Sequence, residues 1–279
     1  RSVSRGLGDV YKRQILPEVN TLVDMPFFHT CMYGVEEVAQ ANDYDIIVVT
    51  TNGNDTKPLE RLIQNRKVDG MILTRTYEND KYVKFLKQKQ IPFVAVGKFP
   101  DDDVVQVDHD NVGACKELVT VLFAKGIQNI AYLGSNMDQM VNRCRYQGYE
   151  EAYRKGKRKL NQDLVYTDLS SKAMVEKAVE ELKKSGVECI LCQDDYICDE
   201  AVRKLSHMGV RIPDQMKVAS CHYSRILENY PVTVTSLKFN ITELGRRSCQ
   251  VLLDMIHGKT VPDKTLLDYE IILKESTKG

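Results

Sequence analysis

The sequence predicts an α/β protein made of two similar Rossmann-like lobes, each with a parallel β-sheet, and a ligand cleft between them. Short β-rich runs alternate with amphipathic helical stretches, which is typical of βαβ units. The β-rich runs are almost entirely apolar, as expected of parallel strands covered on both faces. The alternation occurs as two consecutive series of similar size, and 279 residues suggest about two domains.

The first series builds the N-terminal lobe. Its predicted strands lie at residues 15–19, 45–51, 69–74 and 91–97. Between the first two strands, apolar residues recur at helical spacing: Phe28, Cys31, Met32, Val35, Val38 and Ala39. Two further helices are predicted around residues 59–63 and 82–86.

The second series follows an acidic loop at residues 101–103. Its predicted strands lie at 129–134, 164–166, 187–193, 217–220, 235–237 and 269–273, and its helices at 111–124, 145–155, 172–184, 197–207 and 242–256. We assign residues 15–108 and 236–260 to the N-terminal lobe, and residues 109–235 and 261–279 to the C-terminal lobe. Ligands of open α/β sheets bind beyond the carboxyl ends of the strands, so the loops there are expected to line the cleft.

Residues 1–14, RSVSRGLGDVYKRQ, are expected to lie outside the fold. They show neither a strand nor a helix period, and DVYKRQ resembles the translation of a transposon adapter used in sequencing libraries. We therefore interpret this stretch as a non-native scar and expect the native N-terminus to be missing.

Composition excludes several classes of protein. With 39 basic and 39 acidic residues the formal net charge is zero, which excludes an autonomous nucleic-acid-binding domain. No apolar run approaches the ~20 residues of a membrane span. Most of the eight cysteines lie in apolar periodic segments, and no secretory signal is visible, which favours a reducing cytoplasm.

No motif indicates a cofactor, a metal or a catalytic centre. Residues 15–279 contain no phosphate-binding glycine loop and no common hydrolase or metalloprotease motif. Cys189 and Cys192 have the spacing of a redox pair, but residues three apart in a strand face opposite sides. Buried strand cysteines are the favoured interpretation, with redox or metal chemistry as the alternative.

Polar and aromatic residues at the predicted strand ends are the candidate ligand contacts. Asp194 and Asp195 follow a strand; one could cap the next helix while the other enters the cleft, or the two could form an acid/base pair. His222 follows another strand and is either a ligand contact or a structural histidine. Phe27 and Phe28 could offer an apolar platform to a sugar ring or base, or could be core residues.

Thr74, at the end of a third strand, completes the predicted cleft residues of the N-terminal lobe. No metal ligand is predicted.

An ordered set of motifs resembles the effector-binding domain of LacI/GalR-type transcriptional regulators, which share the type I periplasmic-binding-protein fold. The segments are PFF at 26–28, VDGMIL at 68–73, VDHDNVGA at 107–114, RYQGY at 145–149, QDD at 193–195 and TELGRR at 242–247. The resemblance covers residues 15–279 and implies a homodimer that binds a sugar-like effector. It also implies binding to operator DNA through an N-terminal helix-turn-helix that is missing here.

The resemblance also implies roles for individual residues. Arg145, three residues before Gly148, occupies the place of the arginine that hydrogen-bonds the effector. Asp194 stands where the family has a ligand-facing asparagine, and His222 where a carboxylate often contacts the ligand. VGK at 96–98 and TSLKFNITELG at 235–245 are similar to the maltose-responsive subgroup, which implies a maltose-like or other glycoside effector.

Three functions are consistent with these residues. The leading hypothesis is the effector-sensing and dimerisation core of a regulator, which requires no catalysis. The alternative is a secreted solute-binding protein that feeds a transporter, with the same fold and ligand class. The third is an enzyme that uses Asp194, Asp195 and His222.

Overall fold

A computed structural model describes residues 9–14, 26–50, 55–100 and 103–278 of the chain. Its helices and strands follow in the order β1 (Asp9–Gln14), α1 (Pro26–Gln40), β2 (Asp45–Thr50), α2 (Lys57–Gln64), β3 (Gly70–Leu73), α3 (Lys81–Lys89), β4 (Phe93–Val96), β5 (Gln106–His109), α4 (Asn111–Ala124), β6 (Ile130–Leu133), α5 (Met140–Lys155), β7 (Val165–Tyr166), α6 (Lys172–Leu182), β8 (Cys189–Cys192), α7 (Asp195–His207), β9 (Lys217–Ser220), β10 (Thr235–Phe239), α8 (Ile241–Ile256), β11 (Lys264–Leu267) and β12 (Tyr269–Ile272). The α/β fold class is therefore confirmed.

The chain divides into two compact units. Unit 1 comprises Arg1–His109 and Asn240–Leu267, and unit 2 comprises Asp110–Phe239 and Asp268–Gly279. The sequence placed the divisions after residues 108, 235 and 260, whereas the structure places them after His109, Phe239 and Leu267. The last division differs most because β11 pairs with β5 and so belongs to unit 1.

Unit 1 has a six-stranded sheet in the order β11-β5-β4-β3-β1-β2, and every pairing in it is parallel. One face is covered by α1 and α8, which bury Ile72, Val94 and Val107. The opposite face is covered by α2 and α3, which bury Met71 and Ala95. Both faces of the central strands are thus buried, which explains their uninterrupted apolar sequences.

Residues 1–14 were expected to lie outside the fold, but residues 9–14 form strand β1, and residues 1–8 fall outside the described residues. The backbone of β1 pairs in parallel with β2 along its whole length and with β3 at residues 10–13. Strand pairing uses backbone N–H and C=O groups, which every non-proline residue carries, so the polar sequence DVYKRQ does not prevent it. The strand predicted at 15–19 falls outside the described residues.

Unit 2 has a second six-stranded sheet in the order β12-β10-β9-β8-β6-β7. Its pairings are parallel except that the edge strand β12 runs antiparallel to β10. Helices α6 and α7 cover one face, where Val179 and Leu205 pack with Leu133 and Ile190 in one buried cluster. An antiparallel edge strand on a parallel sheet is common in such folds.

Two glycines set the distance between α1 and α8 in unit 1. A Cβ atom on Gly34 would lie 2.0 Å from the carbonyl oxygen of Thr242, and one on Gly245 would lie 2.1 Å from that of Cys31. The backbones of the two helices therefore touch, and no side chain fits between them at these positions.

Replacing Gly245 with alanine should force α1 and α8 apart. We expect Gly245→Ala to lower the free energy of unfolding by about 1–3 kcal/mol, the usual cost of overpacking a tight interface. Gly156→Ala is the matched control, because Gly156 has an ordinary φ of −73° and its nearest neighbour to an added Cβ is 3.2 Å away. Urea unfolding would measure both, and equal stabilities would contradict the close-packing argument.

Candidate functional site

The candidate site lies at the carboxyl edge of the sheet in unit 2. Strands β6, β8, β9 and β10 are parallel and therefore end at the same edge. Gln193, Asp194 and Asp195 follow β8, and His222 lies two residues beyond β9. Parallel pairing thus brings together side chains that are far apart in sequence.

Arg145 lies on α5 with its guanidinium held in place by neutral groups. Its Nε donates to Oδ1 of Asn111 at 3.2 Å, and its Nη1 donates to the carbonyl oxygen of Gln193 at 2.9 Å. The guanidinium carbon lies 6.0 Å from the ring centroid of Phe239, and the residue is only 8% exposed. Neither hydrogen-bond acceptor carries a charge, so the positive charge of Arg145 is not neutralised by these contacts.

Asp194 begins α7 as its N-cap residue. Its Oδ1 accepts a hydrogen bond from the backbone N–H of Ile197 at 2.8 Å. Burial, together with the negative charge of Asp195, raises the pKa of Asp194, although the hydrogen bond from Ile197 and the charge of Arg145 oppose this shift. One carboxylate oxygen is therefore used structurally.

Asp195 and His222 form a pair beside it. The Nδ1 atom of His222 lies 3.3 Å from Oδ1 of Asp195, and the imidazole stacks on Phe239 with centroids 6.2 Å apart. Burial alone would raise the pKa of Asp195, but the hydrogen bond and charge of His222, together with smaller hydrogen-bond contributions from Ser224 and the backbone, lower that pKa to about 2. Asp195 is therefore an ionised partner of His222 at neutral pH.

The cysteines are buried and unbridged. All eight are free thiols, and burial raises the pKa of Cys189. Beneath the site, the sulfur atoms of Cys115 and Cys221 lie 3.5 Å apart. Within the described ranges, no three His, Cys, Asp or Glu side chains are arranged to hold a metal ion.

The three remaining candidate residues lie in unit 1. Thr74 follows β3 and is 4% exposed. Phe28 is also 4% exposed, packs edge-on against Phe27 at 5.2 Å, and has the guanidinium of Arg75 5.1 Å from its ring centroid. Phe28 is thus a core residue in this structure, while Phe27 is half-buried.

Two residues at the site, Asn111 and Phe239, were not predicted from the sequence, and Gln193 was expected only as part of a loop that lines the cleft. Asn111 and Gln193 hold Arg145, and Phe239 supports both Arg145 and His222. Asn111 directly follows the N-cap of α4, and Phe239 ends a strand, so a polar residue at a helix start and an aromatic residue at a strand end are the sequence signals that indicate them.

Comparison with known proteins decides the family. The family described as "Periplasmic binding proteins and sugar binding domain of LacI family" matches residues 14–275. The chain belongs to this family. Among the helices that the structure describes, none is long and apolar enough to span a membrane.

Relatives of this LacI-family domain include transcriptional regulators. The chain is 26% identical to the HTH-type transcriptional regulator MalR of Streptococcus pneumoniae, over 89% of this chain and 76% of that protein. It is 25% identical to the HTH-type transcriptional regulator CelR of Thermobifida fusca, over 90% of this chain and 76% of that protein.

Solved structures share the fold. A complex of the transcriptional regulator CelR with cellobiose matches with a TM-score of 0.87 and 23% identity, over 97% of this chain and 86% of that one. The transcription regulator CcpA of Lactococcus lactis matches with a TM-score of 0.85 and 24% identity, over 97% and 100% of the two chains.

The pairing of Asp195 with His222 predicts a pH dependence of stability. The pKa of Asp195 is lower in the folded protein than the ~3.9 of an unfolded chain, so its stabilisation is present above about pH 4 and is lost as pH falls towards 2. Asp195→Asn should therefore cost about 2 kcal/mol at pH 7, and the difference from the unsubstituted protein should shrink between pH 4 and pH 2.

Urea unfolding at pH 7, 4 and 3 would measure this dependence. Asp138→Asn, at an exposed carboxylate in the loop after β6, serves as the control and should change stability by less than about 0.5 kcal/mol. A cost for Asp195→Asn that did not change with pH would contradict the charge pairing.

Proposed function

We propose that this chain is the effector-sensing and dimerisation core of a LacI-type transcriptional regulator that binds a small sugar-like ligand. The observation that carries this proposal is the arrangement of Arg145, a hydrogen-bond donor fixed by neutral partners, close to the carboxylate of Asp194. A sugar presents neighbouring hydroxyl groups that both accept and donate hydrogen bonds, and such an arrangement can bind them together.

The comparisons support this proposal. The relatives MalR and CelR are named as HTH-type transcriptional regulators. The similar CelR structure contains cellobiose, and a LacI-family regulator from Enterococcus faecium, with a TM-score of 0.81 and 20% identity, contains ribose. Similarity to MalR and to the maltose-responsive subgroup makes a maltose-like ligand the first candidate.

Each candidate residue has a proposed role. Arg145 donates hydrogen bonds to ligand hydroxyls, Asp194 accepts one, and the Asp195–His222 pair borders them. From unit 1, Phe27 and Thr74 remain proposed ligand contacts, whereas the burial of Phe28 favours its alternative role as a core residue. No step requires bond breaking, so no catalytic residue, metal or cofactor is assigned.

Regulation requires that ligand binding alter the affinity for operator DNA. We infer that the protein works in the cytoplasm as a homodimer, whose twofold symmetry suits paired operator half-sites contacted by helix-turn-helix domains. Effector binding would then shift operator affinity by an allosteric coupling of about 1–3 kcal/mol.

Substitution of Arg145 tests the binding role. In thermal-shift assays with maltose, cellobiose and ribose, a ligand at ~100-fold its dissociation constant should stabilise the unsubstituted protein by about 2.7 kcal/mol. Arg145→Ala should abolish this response while leaving the fold intact, and Arg145→Lys should weaken it, because lysine keeps the charge but loses the planar fork.

Arg154→Ala is the control, since Arg154 lies on the same helix with its side chain 79% exposed. Circular dichroism would show whether each variant is folded. A folded Arg145→Ala protein that titrated like the unsubstituted one in calorimetry would refute the assigned role.

Oligomeric state separates a regulator from a secreted solute-binding protein. Size-exclusion chromatography with light scattering should give twice the 31.9 kDa mass of the chain. A monomer at all concentrations would instead favour the solute-binding alternative, because such receptors usually act as monomers.

A further inference from the structure

We infer that Asp194 restricts the effector to neutral polyhydroxylated compounds and excludes the corresponding sugar acids. This inference rests on the proposed function and adds the chemical class of the ligand. It uses contacts within unit 2 alone.

Arg145 supplies the hydrogen-bond donors. A guanidinium has five N–H groups, and two of them are used by Asn111 and by the carbonyl oxygen of Gln193. No other described residue accepts a hydrogen bond from Arg145. Its remaining N–H groups are therefore available to an acceptor atom of a ligand, and the two existing bonds fix their direction.

Asp194 supplies the hydrogen-bond acceptor. Its Oδ1 accepts from the backbone of Ile197, and no described residue donates to its second oxygen. Asp194 lies close enough to Arg145 for the guanidinium charge to oppose the rise in its pKa. These two described side chains nevertheless form neither a hydrogen bond nor an ion pair with each other. A ligand hydroxyl can bridge them, accepting from Arg145 and donating to Asp194.

A ligand carboxylate cannot bridge the two side chains in this way. It accepts from Arg145, but it has no hydrogen to donate, and placing it against the carboxylate of Asp194 in a partly desolvated place costs either charge repulsion or the uptake of a proton. Asp195 does not relieve this repulsion, since it carries the same charge and is bound to His222. Asparagine at position 194 would remove the repulsion and keep an oxygen for the helix cap.

The test compares each neutral sugar with the acid made by oxidising its reducing end. The probes are maltose with maltobionate, cellobiose with cellobionate, and ribose with ribonate, each titrated by calorimetry at pH 7.5. For the unsubstituted protein we expect the neutral member of any pair that binds to have at least about tenfold higher affinity. Asp194→Asn should reduce this ratio about tenfold, mainly by improving the affinity for the acid.

Asp80→Asn is the matched control, because Asp80 also caps a helix, accepting from the backbone N–H of Tyr82 at 2.8 Å. It should leave the ratio unchanged. Equal or tighter binding of an acid by the unsubstituted protein would overturn the inference and leave the proposed function standing, as would an unchanged ratio in Asp194→Asn. If no sugar or acid binds, the proposed function fails, and this inference fails with it.

Discussion

Parallel strand pairing is the constraint on which the rest of the structure depends. Because β6, β8 and β9 run in one direction, their last residues meet at one edge, and the chain must turn there before each helix. At that turn the carbonyl oxygen of Gln193 is no longer used by the sheet, so it can accept from Arg145. One backbone carbonyl thus connects α5 to the end of β8 and places the guanidinium near Asp194, the next residue along the chain. The chemistry of the site follows from this geometry.

The elements that could be predicted from the sequence are those whose apolar side chains indicate that they are buried. The strand cores GMIL of β3, FVAV of β4, IAYL of β6 and CILC of β8 are apolar because both faces are covered, and each lies inside a predicted run. Strands β5 (QVDH) and β11 (KTLL) were not predicted, and DVYKRQ of β1 was expected to lie outside the fold. These strands carry polar residues and are held by backbone pairing with their neighbours. Backbone pairing does not require apolar side chains, so the hydrophobic pattern of the sequence does not indicate it.

To a similar extent, the sequence predicted which side chains lie together at the candidate site. The rule that ligands bind at strand ends, together with the family resemblance, indicated Arg145, Asp194, Asp195 and His222, and the structure brings these four together in unit 2. The sequence left open which of the two adjacent aspartates caps the helix; Asp194 does so, and Asp195 turns to His222 instead. That division depends on the direction in which each side chain leaves the turn, which residue type alone does not specify. The burial of Phe28 similarly depends on how α1 packs within unit 1.

The division of the chain into interleaved segments has a consequence for biogenesis. Unit 1 includes α8 and β11, which follow most of unit 2 in the sequence. Helix α8 covers the apolar face formed by Ile72, Val94 and Val107. During translation this face is synthesised long before the helix that covers it. A nascent chain stalled or truncated before residue 241 would expose an open hydrophobic sheet face, the kind of surface that chaperones bind and that drives aggregation. Cellular yield should therefore be sensitive to interruptions of translation near the end of the message. In a chain whose two domains were each continuous, such interruptions would leave the first domain complete, whereas here they leave unit 1 without α8.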